Sequence, residues 1–153
     1  MQPLLLALQA FQVAFLWTHD WIPLGPLNDV AAVRKQDPLR IRILVTLMQS
    51  VPFTVGLVFS ARYFREAYPS WLIYYLWISY GLLFIGELQA WWIPYLLKPD
   101  PARAARYTAM YGRTHAFLPQ RNGLVPNTAH VLLHVATLAT LVVLALGGGA
   151  EAF

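Results

Sequence analysis

The stretch Trp71-Leu-Ile-Tyr-Tyr-Leu-Trp-Ile-Ser-Tyr-Gly-Leu-Leu-Phe-Ile-Gly-Glu87-Leu-Gln-Ala-Trp91-Trp92-Ile-Pro-Tyr95-Leu-Leu97 carries one ionisable acid in an otherwise apolar and aromatic run. It is longer than the roughly 20 residues that ~30 Å of hydrocarbon requires of a helix. Its ends are aromatic, with Trp71, Tyr74 and Tyr75 at one and Trp91, Trp92 and Tyr95 at the other, as two interfacial belts would be. Three further apolar runs flank it: Pro3 to Trp17, continuing to about Pro23, then Ile41 to Ser60, and Ala129 to Leu146. Together they predict an all-α integral membrane four-helix bundle, with helices at about 3–23, 39–61, 70–97 and 128–146, in a single transmembrane domain.

Composition agrees with that reading. Of the 153 residues, 58% are hydrophobic and only 12% charged, a balance that water-soluble domains do not show. The net charge of +4 lies between the apolar runs and not on one polar domain, so nucleic acid is not an expected partner. With no cysteine, disulfides, thiolate metal sites and dithiol redox chemistry are excluded. The first run has no basic leader and no small-x-small cleavage site, and reads as a retained helix.

Basic residues set the orientation. Arg34, Lys35, Arg40 and Arg42 lie in the first connection, and Lys98, Arg103, Arg106, Arg113 and Arg121 in the third; only Arg62 and Arg65 lie in the second. Nine against two places the first and third connections in the cytoplasm and both termini outside, in a bacterial inner membrane. Pro52 is expected to kink the second helix, with Gln49 or Thr54 helping to satisfy a freed carbonyl. Gly147, Gly148 and Gly149 end the fourth helix in a flexible tail.

The third connection is too long to be structureless. Residues 101–111 predict an interfacial helix with Arg103 and Arg106 towards the head groups. Beyond it, Asn122-Gly123 marks a turn, and Asn127 or Thr128 is placed to cap the fourth helix. Within this segment, Gly112-Arg113-Thr114-His115, Phe117-Leu118-Pro119, Arg121-Asn122-Gly123, Pro126-Asn127-Thr128 and His130 resemble a segment of small bacterial four-helix membrane proteins. That resemblance implies a bacterial origin and no particular activity.

Polar groups inside hydrocarbon are costly and call for a partner or a task. Gln9, Gln12 and His19 share a stripe of the first helix; Arg42, Thr46, Gln49 and Phe53 share one on the second. Tyr80, Phe84, Glu87 and Trp91 share a face of the third helix, and Asn127, His130, His134 and Thr137 one of the fourth. Given the topology, His19, Arg42, Glu87, His130 and His134 fall in the cytoplasmic half, with His115 and Arg121 on the adjacent loop. The outer halves read as mostly dry, which argues against a channel.

This convergence fits several chemistries. His130 and His134, one turn apart, with Glu87 and His19 or His115, suit a divalent transition metal such as zinc, iron or manganese; haem with histidine axial ligands is a variant. Without metal, Glu87 and His134 as acid and base would act on a lipophilic small molecule against Trp91 and its aromatic neighbours, with Arg42, His115, Arg121 and Asn127 in support and Arg121 meeting any substrate anion. The plan of four helices with an embedded acid and aromatics is similar to that of the sterol-isomerase and sigma-2-type membrane family, in architecture only. In the plain structural alternative, Glu87 is an ion-pair staple to Arg42 and the glutamines are interhelical hydrogen bonds. Gly56 with Ser60, and Ala136 with Thr140, are small-residue faces suited to packing against another subunit or a second copy.

Overall fold

In the computed structural model the described residues are 1–147; Gly148 and Gly149 of the expected tail lie outside them. The chain is helical: α1 (Gln2–Thr18), α2 (Val30–Gln36), α3 (Leu39–Arg62), α4 (Ser70–Glu87), α5 (Ile93–Leu96), α6 (Pro101–Tyr111) and α7 (Thr128–Gly147). A single π-helical turn, Leu88–Trp92, joins α4 to α5, so Ser70–Leu96 is one long rod. That rod, α3 and α7 are each long and apolar enough to cross a membrane. The burial pattern agrees: Met48, Tyr74, Ile78, Leu82 and Val135 are exposed, whereas Gln9, Gln12, Glu87 and Thr137 are inside. Large apolar side chains outside and polar ones inside mark a protein whose surroundings are not water.

Helix α1 packs on α3 and α7, α3 on α4, and α4 on α7, giving a closed ring of four with antiparallel neighbours. At the end where α1 begins, its core contains Leu5, Leu72, Leu76 and Leu144, all essentially without exposure. Gly56 permits the α3–α4 contact, because a Cβ there would stand 3.0 Å from the Leu76 side chain. Gly56, Ser60, Ala136 and Thr140 are all buried within the chain, so the small residues read as subunit contacts serve its own packing.

Several expectations about the elements need correction. α1 ends at Thr18, short of position 23. The side chain of Asn28 donates to the carbonyls of His19 and Ile22 and accepts from the Leu24 amide, folding the chain back before a further turn can form. α2 was not foreseen; Asp29 caps it, its carboxylate accepting from the Ala32 amide at 2.9 Å. α3 runs unbroken through Pro52, which bears on its continuity and not on its bend; Thr54 donates to the Ser50 carbonyl and the Tyr75 hydroxyl to the Pro52 carbonyl, neither of them the Met48 carbonyl that Pro52 deprives of its helical donor. Trp91 and Tyr95, expected at an interface, are buried.

α2 and α6 lie side by side across the end of the bundle where α1 finishes and α7 begins. Two ion pairs fix them antiparallel: Arg106 to Asp37 at 2.7 Å and Arg113 to Asp29 at 2.7 Å. Arg106 is thus paired within the protein, and Arg103 donates to the Gln89 carbonyl and Asp100, while both side chains keep exposed surface on the outside of the cap. The loop after α6 turns at Asn122 (φ 52°) and Gly123 (φ 79°), the left-handed pair of a tight hairpin turn closed by Arg121 and Leu124. Any side chain at Gly123 would also crowd Ala104, at 3.2 Å.

Candidate functional site

A cavity of about 420 Å³ lies beneath the α2–α6 cap. It exists because α3 and α4 meet only over half their length. Phe53–Tyr80 (5.1 Å between rings), Gly56–Leu76 and Phe59–Trp71 (5.0 Å) hold the half away from the cap together. Towards the cap the helices part, and the gap is edged by Ile41, Val45 and Gln49 of α3 and Leu82, Leu83 and Gly86 of α4. Glu87, His134, His130 and His19 form the inner wall, and Tyr107 and Tyr111 of α6 belong to the roof.

Glu87 is only 5% exposed. Its Oε1 stands 2.8 Å from the Thr137 hydroxyl, and Oε2 has no hydrogen-bond partner among the described residues. Thr137 also lies 3.1 Å from Gln12 Oε1 and 3.1 Å from the Leu133 carbonyl, so three acceptors share one hydroxyl hydrogen. Gln12 in turn donates to Thr140 at 2.8 Å. Beyond this chain Gln9, Ser50 and Tyr80 carry fully buried polar atoms without partners among the described residues. The interior is therefore polar as far as the middle of the helices, and Leu5, Leu72, Leu76 and Leu144 close it off beyond.

The two α7 histidines are fixed in opposite tautomers. Asn127 Oδ1 accepts from both the amide and Nδ1 of His130, so Nδ1 holds the proton and Nε2 is left as an acceptor. An indole N–H only donates; that of Trp92 reaches His134 Nδ1 at 3.1 Å, so the proton of neutral His134 sits on Nε2. The π-helical turn, with its extra residue, brings both Trp91 and Trp92 to α7: Trp91 packs 4.7 Å from the His130 ring. His19 donates from Nδ1 to the Phe15 carbonyl and stands edge-on to His130 at 5.7 Å.

The remaining expected site residues divide cleanly. Asn127 caps α7 and orients His130, as just described. Arg42 does not staple Glu87: its guanidinium donates to the Asp20 carbonyl at 2.8 Å and lies 4.1 Å over the Trp21 ring. His115 is exposed, bonded to Thr128 at 2.7 Å and to the Pro26 carbonyl through its amide, so it belongs to the loop. Arg121 is exposed at the hairpin turn and does not line the cavity. No three histidine, aspartate or glutamate side chains among the described residues are grouped to hold a metal ion. The Trp92 bond also occupies the Nδ1 lone pair of neutral His134 and leaves its proton on Nε2.

Sequence reasoning missed Asp20, Asp37, Tyr107 and Tyr111, which line the same space. Asp20 follows His19 directly, and Asp37 stands before Pro38 among basic residues; these were the available signals. Burial pushes the Tyr111 hydroxyl well above its ordinary range, so it remains a neutral hydrogen-bonding group.

Comparison with family models, curated proteins and solved structures returned no match. The geometry alone carries the functional reading.

Proposed function

We propose that α1, α3, the α4–α5 rod and α7 form a four-helix membrane-spanning bundle that receives a lipophilic molecule sideways, through the gap between α3 and α4, with its polar end at Glu87. The single observation behind this is the position of that gap. Its rim is mainly apolar, Gln49 apart, and largely exposed, including Ile41 at 44% and Leu82 at 65%, while its floor holds a buried carboxyl oxygen with no partner among the described residues. Ligand sites combine apolar walls with a few placed polar groups in this way, and a lateral opening lets such a ligand enter without leaving the hydrocarbon. α1 joins the bundle as its fourth member because it packs along α3 and α7 and exposes Leu4 and Phe11.

The histidine pair adds acid–base capacity. His130 Nε2, free to accept, can take a proton from one atom of the ligand and return that same proton, as the imidazolium, to another atom, while His134 Nε2–H, one turn along the same wall, holds the ligand by a hydrogen bond and keeps its own proton. Such an isomerisation needs no co-reactant.

Gly86 supplies the test. A Cβ added there meets nothing within 4 Å, so a side chain at position 86 starts into open space at the rim, and Gly86→Leu is expected to fill it. Lipid extracts of detergent-purified wild type are expected to contain a stoichiometric lipophilic species that Gly86→Leu lacks, at equal thermal stability. Identical extracts from the two proteins would overturn the reading.

A further inference from the structure

The reading above leaves the polar end of the ligand undefined. Resting on that reading, we infer that the cavity selects a lipophilic molecule with a positively charged head, held by Glu87 and Asp20 against the aromatic group Trp91, Tyr107 and Tyr111.

The first argument is charge. Three carboxylates line the cavity, Asp20, Asp37 and Glu87, against one permanent cation, Arg106. Arg106 is spent on Asp37, with contacts of 2.7 and 3.0 Å. The nearby Arg42 is spent on a backbone carbonyl and the face of Trp21. Asp20 has His19 Nε2 at 3.4 Å, and Glu87 has no basic partner at all among the described residues. An anionic head would thus meet two carboxylates with no free guanidinium, in surroundings where unpaired charge is expensive.

The second argument is independent of the acids. Trp91 stands 4.4 Å from Tyr107 and 5.6 Å from Tyr111, ring centre to ring centre, and the two tyrosines are 5.8 Å apart. Clustered indole and phenol rings attract cations through their quadrupoles, most strongly where water is scarce, and recognise quaternary ammonium groups for this reason. Glu87, nine-tenths buried and with one oxygen free, adds the counter-charge at the same cavity.

The experiment uses the full chain in a non-ionic maltoside detergent and follows tryptophan fluorescence. Four probes are titrated: decyltrimethylammonium, decyl sulfate, decanol, and tetramethylammonium as the head without its chain. The expected result is saturable quenching by decyltrimethylammonium alone, weakened ~tenfold or more by Glu87→Gln and also by Asp20→Asn, and unchanged in Arg121→Ala. Glu87→Gln keeps the acceptor facing Thr137, and the second variant guards against misfolding of the first. Saturable binding of decyl sulfate or decanol in preference would overturn the charge assignment while leaving the lipophilic site standing. Tetramethylammonium binding as tightly as the chained probe would overturn the lipophilic part. Absence of saturable binding by all four would overturn both readings.

Discussion

Thr137 is where the interior is most finely balanced. One hydroxyl hydrogen stands within bonding distance of Gln12 Oε1, Glu87 Oε1 and the Leu133 carbonyl, and its oxygen is completely buried. Removing that hydroxyl without changing the shape of the side chain takes away the one hydrogen that Gln12 and Glu87 compete for and leaves a further buried acceptor unmet, which costs about 1–3 kcal/mol. Thr137→Val is therefore expected to destabilise the folded chain by that amount, measured as the shift in an SDS unfolding titration. A neutral outcome would mean that neither acceptor depends on Thr137. The residue was legible from the sequence as part of a stripe with Asn127, His130 and His134, since all four lie at helical spacing. Its partners were not, because hydrogen bonds between helices depend on which rotation each helix adopts. The same limit explains Arg42: sequence put it at the depth of Glu87, but its guanidinium satisfies a carbonyl at the end of α1.

At the level of elements, the long apolar runs were readable from length and composition alone, and short polar pieces were not. α2 has seven residues with Arg34 and Lys35 at its end, nothing in it repeats long enough to register, and it persists because α6 covers it. The π-helical turn was equally invisible, since one inserted residue in a helix leaves no mark in hydropathy. It matters all the same, for it turns Trp91 and Trp92 inward. The α2–α6 cap rests on Asp29, whose carboxyl is held below its ordinary value of 3.8 first by the Ala32 amide and further by Arg113. A depressed folded value means that the stabilisation is complete above the ordinary aspartate range and lost as pH falls through the folded value. Asp29→Ala is expected to weaken the start of α2 by about 1 kcal/mol, the usual worth of such a cap. Hydrogen exchange at the Ala32 and Val33 amides reads it directly: the variant exchanges faster than wild type at neutral pH, and the gap closes in acid below the folded value. A gap that persists undiminished in acid would show that the carboxylate charge is not what holds the turn.

For the molecule as a whole, the open matter is how many helices cross the bilayer. α3, the Ser70–Leu96 rod and α7 qualify by length and hydropathy; α1 has seventeen residues, about 26 Å at 1.5 Å per residue, slightly short of ~30 Å of hydrocarbon. Packing argues for α1 all the same. It runs antiparallel to both α3 and α7, its Gln2 side chain bonds the Glu66 carbonyl and the Arg65 amide at one end, and His19 meets His130 at the other. A helix lying flat on the surface cannot touch both ends of its neighbours. Charge supplies an expected direction: nine of the eleven basic residues lie at the cap end, Arg40 and Arg42 in the first turn of α3 and the rest in the connections, and the positive-inside rule would put that end in the cytoplasm. Because the chain has no cysteine, single-cysteine variants at the exposed positions Pro3, Lys35, Ala67 and Gln120 report sidedness without background. With a membrane-impermeant maleimide, Pro3→Cys and Ala67→Cys are expected to react in intact cells, and Lys35→Cys and Gln120→Cys only after permeabilisation. Protection of Pro3→Cys alongside Lys35→Cys, with Ala67→Cys still reactive, would remove α1 from the spans. The fully reversed pattern would turn the cavity's charged roof to the outer side and make its ligand one delivered from there.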